Sequence, residues 1–279
     1  MFSIIIFLHL TIALQLGIAF WVDFHSFRRT TKIESRLIMN SCDELMIPTY
    51  HRLASMLMDG RLTKKGSDRQ QYWVGIAGGP GSGKSTLASS VRDIINDLSG
   101  TDIAVVLPMD GYHFSRKELQ SIADMGEYSF EELLARRGSP WTFNAAKIVD
   151  TFTSARRSGS AVLNTYSRQL SDPVEGGVEL KASHKIILCE GNYLLNFDDE
   201  SWSGLREVFD EKWFISCKHP EQQRTRLIRR HLETWTAEKE RLWGLGEIGA
   251  ANKADANDVL NAIFVENHKT YADVLIESI

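Results

Sequence analysis

Gly78-Gly79-Pro80-Gly81-Ser82-Gly83-Lys84-Ser85 reads G-x-x-x-x-G-K-[ST], and this stretch decides the fold. Before it, Tyr72 to Ala77 is a short apolar run suited to a buried strand. After it, Thr86-Leu87-Ala88 and then Val91, Ile94, Ile95 and Leu98 recur at helical spacing until Gly100 supplies a C-terminal cap. Strand, glycine loop and helix in this order predict an α/β fold, a P-loop NTPase three-layer sandwich with a parallel sheet. Glycines lack Cβ, so several backbone N–H groups can converge on phosphate oxygens at the positive end of a helix. Lys84 adds a point charge at the β/γ phosphates, and the Ser85 hydroxyl is a ligand for Mg²⁺. Gly78 to Ser85, with Thr86 beside them, are therefore the expected residues for ATP and its Mg²⁺.

The next strand ends select among P-loop chemistries. Ile103 to Leu107 is apolar and closes on Pro108-Met109-Asp110-Gly111-Tyr112-His113. That places Asp110 at the carboxyl end of a parallel strand, where open α/β sheets bind ligands. A carboxylate there takes a proton from an acceptor hydroxyl or holds Mg²⁺; the plainer alternative is a turn aspartate before glycine. Ile186 to Cys189 is a second buried run and closes on Glu190-Gly191-Asn192-Tyr193. Glu190 there suits Mg²⁺ or its water shell. Asn252-Lys253-Ala254-Asp255 spells the guanine motif N-K-x-D, and Asp97 to Gly100 spells D-x-x-G. Neither follows an apolar strand, which argues against a GTPase.

Further on, Glu221 to His231 concentrates positive charge. Arg226, Arg229 and Arg230 are three and four apart, so one helix face carries like charges that an anion would relieve. In small-molecule kinases that anion is the transferring phosphate under a closing lid; a solvated charged face is the bland alternative. Glu233, Glu238 and Glu240 are candidate counter-ions. Of the tryptophans at 141, 202, 213, 235 and 243, only Trp141 has a positional reason to face an acceptor. His113 is a second acid/base group, an acceptor ligand or a satisfied structural histidine.

The 279 residues carry 43% hydrophobic and 24% charged side chains, which excludes a collagenous, disordered or polytopic membrane chain. A formal charge of -4 gives no reason to expect a nucleic-acid partner. Cys42, Cys189 and Cys217 form no metal spacing, and an odd count cannot all pair, so a reducing compartment is expected. Residues 2–22 contain no Asp, Glu, Lys or Arg and are long enough to span a bilayer once as a helix. Arg28, Arg29, Lys32 and Arg36 follow and would leave the remainder in the cytosol. The competing reading starts translation at Met39 and makes 1–38 a gene-model artefact; a cleaved signal lacks both its basic start and its cleavage site. Asp43 to Gly60 reads as a helix on Leu45, Met46, Leu53, Met56 and Leu57. The expected organisation is an extension at 1–38, a helical segment at 39–70 and a P-loop kinase domain at 71–279. The oligomeric state is not legible.

From Tyr72 to Ile279 the chain resembles the phosphoribulokinase/uridine kinase family of P-loop kinases, which includes the bacterial-type pantothenate kinases. It is most similar to a nucleoside/fructose-kinase-like branch. The matching segments are Pro108 to His113, Arg136 to Phe143 (Arg-x-Gly-x-Pro-x-Thr-Phe), Glu190 to Leu195 and Arg230-His231. The resemblance implies a helical lid, an ATP-dependent transfer to a hydroxyl of a small molecule, and Asp110 as the base for that hydroxyl. It places Tyr166 and Arg168 in the acceptor pocket, where pantothenate kinases carry Tyr-Ser-His, so Arg168 counts against pantothenate itself. Arg226 and Arg230 are the expected nucleotide-side lid arginines, with the acting one left open, and His113 and Glu190 are expected beside the acceptor. Asn144 stands where relatives have aspartate, and Asn257 to Ala262 resembles a Ser-Asp-x-x-Asn-Ala segment near the nucleotide. Two other classes stay open: an ATP-hydrolysing switch or assembly factor without a metabolite acceptor, and a membrane-tethered interaction protein that only binds nucleotide.

Overall fold

In the computed structural model, residues 44–59 and 71–279 are described. Five parallel strands form one sheet: β1 (Tyr72–Ala77), β2 (Ala104–Pro108), β5 (Ile186–Gly191), β6 (Glu211–Cys217) and β7 (Val274–Ser278). Their order is β2-β5-β1-β6-β7. β3 (Ala161–Ser167) and β4 (Asp172–Leu180) pair antiparallel as a separate hairpin. The sheet is covered on both faces, so its central strands read as continuous apolar runs, and every residue of β5 is buried.

The pleat sorts these runs into two cores. Trp73, Ala77, Leu107, Ile187, Cys189 and Phe214 face one cluster, which holds Ile148 and Phe152 of α5 (Ala145–Ser158) and Leu163 and Leu180 of the hairpin. Val74, Ile76, Ile186, Leu188, Trp213 and Ile215 face the other, with Leu87, Val91 and Ile95 of α2 (Lys84–Ser99). α1, residues 44–59, supplies Met46, Tyr50, Leu53, Ala54 and Leu57 to that second core. This shifts the phase expected from sequence: Leu45 and Met56 are exposed, because the stripe runs through Tyr50 and Ala54. Met46–Ile279 is one compact unit, and Met1–Leu45 is divided from it. The apolar run 2–22 and the alternative start at Met39 lie outside the described residues; among those described, no helix is long and apolar enough to cross a membrane.

Two helices, α3 (Arg116–Asp124) and α4 (Phe130–Ala135), each begin on a serine capping box, and α5 is capped by Asn144, whose side chain accepts from the Lys147 N–H. The cap therefore survives the loss of an aspartate charge. After β6 come α6 (Pro220–Glu233), α7 (Ala237–Trp243), α8 (Gly246–Lys253), a π turn at Ala254–Asp258 and α9 (Val259–Glu266), packed on one another as the helical lid. The N-K-x-D tetrapeptide falls at the end of α8 and in that turn, with no strand before it.

Candidate active site

Strand register brings the two carboxylates to one edge of the sheet. Glu190 on β5 sits opposite Ile76 of β1 and Pro108 of β2, and two residues beyond Pro108 the chain turns through a 3₁₀ segment, Met109–Tyr112, that carries Asp110. β1 is the point where the strand order reverses, with β5 and β2 on one side and β6 and β7 on the other. The glycine loop leaves from its carboxyl end. Gly81 (φ +78°) and Gly83 (φ +94°) hold left-handed conformations that residues with a Cβ rarely adopt. Gly83 is also the N-cap of α2 and offers no side-chain cap, so the first N–H groups of the helix stay available.

A cleft of about 230 Å³ collects Pro80, Lys84, Ser85, Asp110, His113, Tyr166, Arg168 and Arg230. The Ser85 hydroxyl donates to Glu190 Oε2 at 3.1 Å. Lys84 and Glu190 are both buried. Burial pushes the Lys84 ammonium down from its usual range, against the opposing pull of Glu190 and Asp110; burial pushes the Glu190 carboxyl up, against the pull of Lys84. His113 is held by a 2.8 Å bond from Nδ1 to the Asp110 carbonyl, which makes Nδ1 the protonated nitrogen. Its ring lies between Phe143 (centroids 3.8 Å apart) and Tyr166 (4.8 Å), and burial lowers its pKa. Burial also raises the Tyr166 phenol.

The two lid arginines diverge. Arg230 lines the cleft with Nη2 3.5 Å from Asp258 Oδ1, and burial lowers its pKa while Asp258 opposes the shift. Arg226, expected beside it, donates instead to the main-chain oxygen of Ile279 and lies 3.9 Å from Cys217 Sγ, outside the residues that line the cleft. Thr86 is exposed on α2 and also outside the lining. Trp141 is not an acceptor wall: it is 46% exposed and stacks on Tyr128 at 5.7 Å. The tryptophan in the cleft is Trp243, with Lys253 Nζ 5.6 Å over its ring.

The contacts that hold the cleft together carry no sequence signal, even where the residues belong to a motif. Gln223 Nε2 donates to the Pro80 carbonyl at 2.7 Å, tying α6 to the glycine loop. Asn257 Nδ2 donates to the Arg137 carbonyl at 2.8 Å, and His231 Nε2 lies 2.8 Å from Asp258 Oδ2, so the π turn joins the lid to the 136–143 segment. Within that segment Arg136 reaches outward to the Ala256 carbonyl, whereas Arg137, the unspecified x of the motif, lines the cleft. Among the described residues no cluster of His, Cys, Asp or Glu forms a metal cage by itself. Ser85 and Glu190 present oxygen ligands as a pair, which suits a cation held largely by phosphates and water.

A phosphate cradle at the switch point, a buried strand-end carboxylate under it and an arginine helix above it define a P-loop small-molecule kinase. No family model matches the sequence. A protein of Schizosaccharomyces pombe that bears a provisional uridine kinase name is 30% identical over 247 residues, covering 86% of this chain and 92% of its own. A Silicibacter sp. TM1040 structure, provisionally a fructose transport system kinase, superposes with a TM-score of 0.65 at 25% identity over 81% of this chain and 98% of that one. YFH7 of Saccharomyces cerevisiae shares the fold at a TM-score of 0.65 and 20% identity, over 82% of this chain and 98% of that one. The chain belongs to the phosphoribulokinase/uridine kinase family of P-loop kinases.

Proposed function

We propose that the protein transfers the γ-phosphoryl group of ATP to a hydroxyl of a small metabolite of the nucleoside, sugar or pantothenate-like type. The observation that carries this is the position of Asp110, which shares one cleft with Lys84 and Ser85 of the cradle and with His113 and Tyr166. A nucleotide switch without an acceptor needs the cradle but not that second half of the cleft.

The triphosphate fits the loop: Ser82 Oγ is buried without a partner, and the glycines leave the backbone N–H groups open to phosphate oxygens. Ser85 and Glu190 would hold Mg²⁺, whose charge, once bound, offsets that of the phosphates. Asp110 accepts the proton of the acceptor hydroxyl as its oxygen bonds to the γ-phosphorus, and the bond from that phosphorus to the β,γ-bridging oxygen breaks to release ADP. Lys84 and Arg230 stabilise the charge on the transferring group. His113, tied to the Asp110 carbonyl, orients the turn that aims this carboxylate.

Asp110→Asn tests the assignment. Acceptor-dependent ADP release should fall by about 10²- to 10⁴-fold, the usual worth of a positioned general base, while calorimetric Mg·ATP binding persists. Unchanged turnover in that variant removes Asp110 from the chemistry.

A further inference from the structure

The acceptor half of the cleft holds a positive charge that its own acids do not match. Asp110 faces two sets of groups: Lys84 and Glu190 lie within its field toward the cradle, His113 and Tyr166 toward the hairpin. Two arginines, Arg116 and Arg137, line the cleft beside the hairpin set, and a third lining arginine, Arg168, acts on Lys84, Glu190 and Arg230. Arg116 is answered by Glu238, through Nη2 at 2.7 Å and Nη1 at 3.1 Å. Arg137 is answered only in part. Its side chain is 9% exposed, and Nη2 alone is bonded, to the Phe114 carbonyl at 2.7 Å and to Asp172 Oδ1 at 3.0 Å. That same Asp172 oxygen also accepts the Arg116 N–H at 2.8 Å. Arg137 Nε and Nη1 are buried without a hydrogen-bond partner, and the guanidinium carbon sits 5.6 Å over the Tyr166 ring. The guanidinium of Arg168, two residues past Tyr166, has no hydrogen-bond or ion-pair partner among the described residues; only its main-chain carbonyl is engaged, accepting from Ser171 Oγ at 3.4 Å.

A buried guanidinium with idle donors is costly unless something completes it. Glu190 and Asp110 cannot serve, since the first is bound to Ser85 beside Lys84 and the second is the carboxylate the hydroxyl must reach. A neutral sugar or nucleoside would leave the charge unmatched. Resting on the kinase reading above, we propose that the acceptor carries an anionic oxygen group, carboxylate or phosphate, which seats against Arg137 and Arg168 while its hydroxyl reaches Asp110. Tyr166 supplies the flat wall between the two halves. A site built to pair an anion discriminates strongly against the analogue that lacks it, because its own donors are then left unpaired.

The test is acceptor-stimulated ADP release by the full chain with Mg·ATP and matched acceptors: glycerate against glycerol, pantothenate against pantothenol, fructose 6-phosphate against fructose, and UMP against uridine. The expected result is at least a tenfold higher kcat/KM for the charged member of one pair, and the pair that responds separates carboxylate from phosphate. Arg168→Gln, and Arg137→Lys in place of an alanine that could unfold the segment, should raise KM for that charged acceptor by about tenfold or more while KM for ATP moves less than about threefold. Equal or better turnover of the neutral members overturns the inference and leaves the kinase reading standing. No stimulation by any member, with Mg·ATP binding intact, overturns both. A parallel rise of KM for ATP in the two variants would assign these arginines to the triphosphate and also overturn the inference.

Discussion

Gly111→Ala probes whether Asp110 is aimed by close backbone packing. A Cβ at position 111 would lie 2.4 Å from both the carbonyl carbon and oxygen of Asn164 and 2.7 Å from the Thr165 nitrogen. Ordinary contact needs about 3.5 Å, so one side must retreat by roughly 1 Å. The atoms in the way are the main chain of β3 at an irregularity in its pairing with β4: Asn164 has no partner in the ladder, but Leu163 and Thr165 on either side are paired and hold it, and a main chain cannot rotate aside as a side chain would. Overpacking of this kind costs about 1–3 kcal/mol, or about 2–4 °C in Tm per kcal/mol for a domain of this size. The functional cost is larger, because a misplacement of about 1 Å at a reacting group is worth roughly a hundredfold in rate. We expect acceptor-dependent ADP release to drop by about that factor while Mg·ATP still raises the melting temperature, since the glycine loop leaves from a different strand. Gly100→Ala is the control: Gly100 has φ +68° and nothing within 4 Å of its Cβ site, so it should lose about 1–2 kcal/mol of stability and no turnover. If Gly111→Ala melts lower yet turns over at the wild-type rate, the hairpin does not aim Asp110 and the reasoning fails.

Lys84→Ala should abolish Mg·ATP binding by calorimetry, and it also removes the charge that opposes the upward shift of the buried Glu190 carboxyl. Because the Glu190 pKa is already raised in the folded state, its contribution to stability is complete below the ordinary carboxylate pKa of about 4.3 and is lost as pH rises through the folded value; melting curves of the variant should fall more steeply with rising pH than those of the wild type. Arg230→Ala should lower turnover about a hundredfold with little change in Tm, whereas Arg226→Ala should cost about 1–2 kcal/mol through its bond to the main-chain oxygen of Ile279, read by urea denaturation. Asp258→Asn leaves His231 and Arg230 without their carboxylate and should destabilise by about 3 kcal/mol at neutral pH. Burial alone would raise the Asp258 pKa, but His231, Lys253 and Arg230 hold it below the usual range, so this stability disappears as pH falls through the folded value and the variant's stability should be flatter in acid.

What was legible in the sequence was legible because it is local or strand-bound. The cradle is eight consecutive residues between a strand and a helix, and all three lie where their order places them. Asp110 and Glu190 are legible because each follows a buried run, and in a parallel sheet the carboxyl ends of neighbouring runs share one edge. The segment at 136–143 was recognised as a motif, yet the arginine named in it, Arg136, points away, and its neighbour Arg137 enters the cleft. Adjacent positions diverge because the chain leaves α4 into an irregular turn there, where no period predicts direction. Trp141 departs from its expected place for a related reason: it packs on Tyr128, a partner in the preceding loop that no spacing reveals.

Sequence alone determined that a triphosphate cradle, two strand-end carboxylates and a basic helix belong to one α/β domain, since periodicity and glycine chemistry act within a few residues. Only the tertiary structure decided which charges meet. Arg226 and Arg230 are four apart and share a helix face, but each long side chain ends where a partner waits, the main-chain oxygen of Ile279 for one and Asp258 for the other. The partner of a flexible charged side chain is supplied by distant parts of the chain, so its direction is a property of packing rather than of spacing.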